Sequence, residues 1–451
     1  MSTANGFKRV LPLRTAISTS AGLASAAINF LACVEIAEYA GGASAWLALL
    51  VAGLLIVLAG ANFSELNGMY PSSAAIRVWI RRGINDNVSM VTGFVYATTV
   101  IFVIAADAFV LGHVFQAAVP NVSGLIWIAL LLGLVTWINL RGIRLAGLVQ
   151  DGNGLLLLTT LVIFSFLVLL HPHVPLTAGR LFHLGPNWLE AVAVGIFIYV
   201  GFEWVTPLAE EFEDSRVIPK GMFIALGLIA IGFGLFTLAL AVVFPNAEAL
   251  KHSLVPQLIV GLHALGPLGF WWMVVVSLTT AMTTFNGGLA TASRFVYALA
   301  RERVLPSKMA RLNVKLVPQN ALLLLSFLSL GLAILVYLTG QYLFLINAGA
   351  AVESFMYAIT AIVVANLRKR EPGSNRPFHS WGVPWLSWVM AVVFAGLGIG
   401  SLLAPSGEHG FPGPLVFLVL LVAASQIYVW KVVPRLKAQK RGMAKAVVPK
   451  R

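Results

Sequence analysis

The chain has 451 residues, of which 59% are hydrophobic and 10% charged. A soluble domain carries about 25% charged residues, so this composition excludes a water-soluble enzyme. The net charge of +13 raises nucleic acid as a partner, but the placement of the basic residues points to a lipid surface instead. The single cysteine, Cys33, leaves no intramolecular disulfide. The N-terminal stretch 1–14 is polar and basic and is not followed by a small-residue cleavage site. The first apolar run is therefore expected to be a retained span.

Taken in order, apolar runs of spanning length fall at 15–39, 43–66, 88–119, 124–140, 145–170, 188–209, 219–244, 266–299, 320–340, 342–367, 384–404 and 413–433. Crossing the hydrocarbon core takes roughly 20 apolar residues per helix, so the expectation is an all-α membrane protein of about twelve spans. Polar punctuation separates the runs, among it Gly41-Gly42, Pro120-Asn121, Arg141-Gly142, Pro245-Asn246 and Pro405-Ser406-Gly407. No gap is long enough for an extramembrane domain; none is longer than 245–265. The short alternating segments of a β-barrel are missing.

The basic residues orient the chain. With the N-terminus in the cytoplasm, 28 of the 30 Lys and Arg residues fall on the cytoplasmic side, and only Arg180 and Lys251 fall opposite. The C-terminal tail, from Lys431 through Lys440, Arg441, Lys445 and Lys450 to Arg451, reads as a lipid-proximal patch. Both termini are expected to be cytoplasmic, in a cell (inner) membrane, with no nucleic-acid partner. The oligomeric state is not fixed by these patterns.

Two spans carry small or polar residues at mid-depth, where an uninterrupted helix needs none. Span 1 has Ser25-Ala26-Ala27-Ile28-Asn29; span 6 has Tyr199-Val200-Gly201-Phe202-Glu203, with Pro207 soon after. The two spans are an odd number apart and enter from opposite faces. Paired interruptions of this kind mark the binding site in transporters built from inverted repeats.

Several motifs carry a family resemblance. They are Phe197-Ile198-Tyr199-Val200-Gly201-Phe202-Glu203, Ala209-Glu210-Glu211, Ile218-Pro219-Lys220-Gly221, Asn139-Leu140-Arg141-Gly142, the run from Arg294 to Pro306, and Arg376-Pro377-Phe378. In this order, over nearly the whole chain, they resemble the amino acid–polyamine–organocation (APC) superfamily of permeases. The resemblance implies a five-plus-five inverted repeat, with a first repeat over 15–170, a second over 188–367, and two appended spans over 384–433. It also implies discontinuous helices 1 and 6 and alternating access around a site between them. The chain departs from the family twice. Ser25-Ala26-Ala27 stands where Gly-x-Gly is usual. The lysine that many members carry in span 5 is absent, and its place falls near Leu157.

A helix unwound at mid-membrane exposes amides and carbonyls that must find partners. Free N–H groups at the half-helix after Asn29 suit a carboxylate, and carbonyls near Ala24 and Val200 suit an ammonium group, so an α-amino acid is the natural ligand. Phe202, with Trp204, is placed to cover it as an aromatic gate. Three acids lie near mid-depth: Asp107, Glu203 and Glu353. Charges at that depth are costly and mark function. An interior of acids without basic partners also suits a polyamine or other organic amine, the alternative substrate class. Glu35 and Glu65 lie nearer helix ends, where solvated or packing roles are expected. Ser277, Thr279, Thr280, Thr283 and Thr284 of span 8 either bond back to their own helix or complete a sodium site. Ion coupling, by a proton or Na+, thus rests on Thr283, Thr284 or a titrating acid such as Glu203; no other cofactor is expected.

No Walker-type loop is present for ATP. His171, His173 and His183 share one loop without metal-ligand spacing, and Gly396, Gly398 and Gly400 read as packing glycines. No nucleophile–base pair or metal cluster marks an enzyme. The expected function is a secondary permease, ion-coupled or exchanging, or a sensor that keeps the fold.

The charge split makes a direct prediction. In a chain whose Cys33 is replaced, cysteines at Lys251 and Lys308 should react with an impermeant maleimide from outside and inside respectively. Labelling from the same side would contradict the span count.

Overall fold

The structure, a computed structural model, describes residues 6–404 and 412–438. The Pro405-Ser406-Gly407 break and the tail residues Lys440, Arg441, Lys445, Lys450 and Arg451 lie outside the described residues. The elements in chain order are α1 (Leu13–Ala24), α2 (Asn29–Ala40), α3 (Ala45–Met69), α4 (Ile76–Gly83), α5 (Asp86–Ala118), α6 (Gly124–Leu140) and α7 (Ile143–Leu170). After α8 (Ala178–Phe182) and α9 (Trp188–Phe197), a 3-10 helix covers Phe202–Leu208. Then follow α10 (Val217–Val243), α11 (Pro256–Arg301), α12 (Gln319–Thr339), α13 (Tyr342–Arg370), α14 (Trp385–Leu403) and α15 (Gly413–Lys431).

The fold is all-helical. Among the described residues, ten helices are long and apolar enough to cross a membrane, and α1 with α2, bent by 62° across their break, makes eleven. Helix α6 has 17 residues, or about 25 Å of rise, short of the roughly 30 Å core. Each apolar run of the sequence coincides with a helical segment. Apolar side chains crowd the outward faces of these helices: Leu130 on α6, Leu155 and Phe166 on α7, Phe327 on α12, Val392 on α14 and Leu420 on α15 are all exposed. Without water on those faces the arrangement is that of a bundle in lipid.

Hydropathy overlooked short structure between spans. Residues 256–264, read as loop, are helical and precede a break at Leu265 and Gly266 inside α11. Gly266 has φ +63°, which a side chain would strain, and Pro267 follows. The short segment folds back so closely that a Cβ at Gly261 would lie 2.4 Å from the Gly269 carbonyl.

At one end of the bundle, acids meet arginines. Glu65 of α3, 1% exposed, accepts from Arg368 (2.7 Å) and Arg376 (3.1 Å). Glu211 pairs with Arg294 at 2.9 Å and Glu210 with Arg301 at 2.8 Å. Arg77 reaches Asp86 at 2.7 Å and Glu302 at 3.2 Å. These pairs join α3, α4, the segment after the 3-10 helix, α11 and α13. Glu65 thus packs, as one of its expected roles had it.

Removing one member of a buried ion pair strands the others. Glu65→Gln is expected to cost about 3 kcal/mol, read as a lower melting temperature of the solubilised protein. Arg368→Gln should cost less, because that side chain is 28% exposed. A wild-type melting temperature for Glu65→Gln would show that the triad does not hold this end together.

Candidate functional site

Helix α1 stops at Ala24, and the Ser25 amide still bonds back to the Ala21 carbonyl at 2.9 Å. Residues 26–28 leave the helix before α2 begins at Asn29. The second break follows α9, where Gly201 has φ +103°. A Cβ there would lie 3.3 Å from the Leu23 carbonyl, so glycine both permits the left-handed backbone and lets the two breaks touch. Asn29 ties them together. Its Nδ2 donates to the Ala24 carbonyl at 2.6 Å and to the Ile198 carbonyl at 3.3 Å.

A cavity of about 30 Å³ opens against these breaks, room for about two waters. Ala26, Ile28 and Asn29 of the first break line it, with Phe102 and Ala106 of α5, Phe197 and Val200 at the second break, and Gly349 of α13. The lining is apolar apart from the backbone and Asn29. The other candidates surround it without lining it. Ser25 is buried and its Oγ has no partner. Tyr199 donates to the Leu49 carbonyl at 2.9 Å, against Gly53. Phe202 packs among Phe63, Tyr357 and Gly60. Phe102 and Phe197 supply the cavity's aromatic wall; as apolar residues in apolar runs they carried no distinguishing signal.

The exposed amide of the first break is not where the sequence placed it. The amides of Asn29 and Phe30 bond to the Ala26 and Ala27 carbonyls at 3.0 and 3.2 Å. The Ala27 amide instead points at α5 and donates to Asp107 Oδ1 at 2.5 Å. The Ile28 amide and the Thr284 hydroxyl lie near this carboxylate, and the Thr284 hydroxyl donates to the Gly22 carbonyl. Asp107 is fully buried, and its Oδ2 has no partner.

Glu203 and Glu353 form a second buried acidic centre. Glu203 accepts from Tyr96 at 3.3 Å and Tyr357 at 2.9 Å, while Glu353 accepts from Trp204 Nε1 at 2.8 Å. Trp204 stacks on Tyr96 with ring centres 4.0 Å apart; the two carboxyl groups are near enough to influence each other, and Glu353 Oε2 has no hydrogen-bond partner. Among the described residues, Asp107, Glu203 and Glu353 have no Lys, Arg or His in an ion pair with them.

The hydroxyls of the eighth span bond mainly within α11: Ser277 to the Met273 carbonyl, Thr279 to Val276, Thr280 to Ser277 and Thr283 to Thr280. Thr283 and Thr284 also approach the Gly22 carbonyl, at 3.3 and 3.4 Å. Leu157 of α7 is buried and apolar. The side chain of α7 that reaches between α1 and α11 is Gln150, two turns earlier. Its Nε2 donates to the Ser18 and Thr283 carbonyls, both at 3.2 Å, and its Oε1 accepts from Asn286 at 2.8 Å. A buried amide in an apolar run was its only sequence signal.

An amino acid permease family model matches residues 16–440. The chain belongs to the amino acid permease family. Relatives include the large neutral amino acids transporter small subunit 2 of Mus musculus, 28% identical over 72% of this chain and 61% of that protein. The gamma-aminobutyric acid permease of Escherichia coli is 26% identical over 82% of this chain and 83% of its own length. The human Asc-type amino acid transporter 1 is 29% identical over 60% and 53%. The chain thus spans less than two thirds of the mouse and human transporters. The family and these relatives are transporters, not enzymes, and the helices make this permease a multi-pass membrane protein.

Proposed function

We propose that this permease is a secondary active transporter that moves an amino acid by alternating access, with the substrate held between the breaks of α1–α2 and α9. The observation that carries the reading is the meeting of two broken helices at one cavity, which Asn29 and the residues on either side of Ala27 line. A cavity of about 30 Å³ is too small for an amino acid, so binding requires the walls to part. The rigid ends for such a movement are the arginine–carboxylate pairs, which close one side of the bundle. We read that side as cytoplasmic from the charge split, in a cell (inner) membrane. Residues 15–170 and 188–367 are the two inverted repeats of this reading, each headed by a broken helix.

An organic amine is the second reading. It draws support from three buried acids without a cationic partner, since an ammonium group would compensate them. The zwitterion is favoured because it satisfies both kinds of group that a helix break offers, and because the relatives' names are those of amino acid carriers. No ATP enters either scheme.

Competition in proteoliposomes separates the two. Exchange of a labelled amino acid should be inhibited by the unlabelled amino acid and not by its α-amide or its decarboxylated amine. Inhibition strongest by the amine would overturn the amino acid reading.

A further inference from the structure

The anion place at the first break is already occupied. A substrate carboxylate would be received by the amides that begin the second half of the broken helix, yet the Ala27 amide donates to Asp107 Oδ1 at 2.5 Å. Asp107 belongs to α5, and its neighbour Ala106 lines the cavity, as do Ala26 and Ile28 on either side of Ala27. Asp107 and Ala27 are thus each next in sequence to residues that line the cavity, without lining it themselves. Its Oδ2 is fully buried and has no partner.

We propose that Asp107 is the proton-carrying residue of the transport cycle, exchanging with the substrate carboxylate at the Ala27 amide. In the empty site the ionised Asp107 satisfies that amide. When a substrate carboxylate takes the amide, Asp107 loses the Ala27 donor and remains buried beside a second negative charge. Two carboxylates cannot share one desolvated place unless one is neutralised. A proton from the aqueous phase converts the Asp107 carboxylate to the acid, and it leaves when the substrate departs on the other side. One proton thus travels with each carboxylate, and a zwitterion carries net positive charge across. The inference rests on the amino acid reading of the site.

The surroundings leave Asp107 to do this alone. The groups facing it are the Ala27 and Ile28 amides and the Thr284 hydroxyl. On the elements packed around it, Glu203 and Glu353 are engaged with Tyr96, Tyr357 and Trp204. His113 and Tyr337 stack on each other farther along α5. On α7, the side chain aimed at the α1–α11 contact is the neutral Gln150, whose amide already donates to both helices. None of these supplies a cation that would let Asp107 stay ionised beside a bound carboxylate.

The test begins with wild-type exchange of leucine, alanine and γ-aminobutyrate in proteoliposomes. No exchange of any of them would overturn the amino acid reading and this inference together. For the member that exchanges, calorimetric titration of the full-length protein in two buffers of different ionisation enthalpy counts protons taken up on binding. About one proton per substrate is expected from linkage; none would overturn the inference while leaving the amino acid reading standing. Asp107→Asn keeps a side-chain oxygen for the Ala27 amide but cannot take up the proton. Its remaining exchange should no longer change with pH, and an imposed pH gradient should no longer drive accumulation. Gradient-driven accumulation by the variant would overturn the inference. If the variant does not fold, the wild-type proton count decides.

Discussion

A polypeptide that leaves the helix inside a bilayer must still satisfy its backbone, because the hydrocarbon offers nothing in exchange for water. The site of this permease is organised around that requirement. Four residues, 25–28, lie between α1 and α2 outside either helix, and side chains from elsewhere answer for the groups set loose. Asn29 returns to the Ala24 carbonyl and reaches across to Ile198, so one amide serves both breaks. Asp107 comes from α5 to meet Ala27. Gly201 removes the Cβ that would keep the second break from lying against the first. The family's usual glycines are replaced here by Ser25, Ala26 and Ala27, and the helix is broken all the same. Small side chains suffice when the partners are in place.

The buried acids fall into two groups with different physics. Glu65, Glu210 and Glu211 each meet an arginine at 3.1 Å or less, and they join elements at one end of the bundle. Asp107, Glu203 and Glu353 meet amides, hydroxyls and an indole, and no cation. A carboxylate paired with arginine is a fixture, because losing either member strands the other. A carboxylate held only by neutral donors can change its protonation with its company. The first group therefore suits a static closure, the second a working interior. The three arrangements lie on α5, the second broken helix and α13, which surround the same cavity.

The sequence was most informative where the signal was periodic or averaged. Each apolar run fell on a helix, and both breaks lie where clusters of small and polar residues predicted them. It was least informative where geometry depends on a few side-chain directions. The helix at 256–264 is apolar but far shorter than the roughly 20 residues of a span, so hydropathy saw only a loop. The exposed amide belongs to Ala27 and not to residues after Asn29, because the first turn of α2 tightens and consumes its own donors. Gln150 occupies the junction that counting assigned to Leu157, two turns away. Phe202 turns toward Phe63 and Tyr357 because the 3-10 path after Gly201 rotates it away from the cavity. No periodicity rule reaches a residue beyond a left-handed glycine.

In the proposed cycle the Ala27 amide is a shared seat, held by Asp107 in the empty protein and by the substrate carboxylate in the loaded one. An experimental structure of the full-length permease with a transported amino acid bound tests it most directly. The substrate carboxylate is expected within hydrogen-bonding distance of the Ala27 nitrogen, with the Asp107 carboxyl withdrawn from it. A bound amino acid with Asp107 still seated on Ala27 would contradict it.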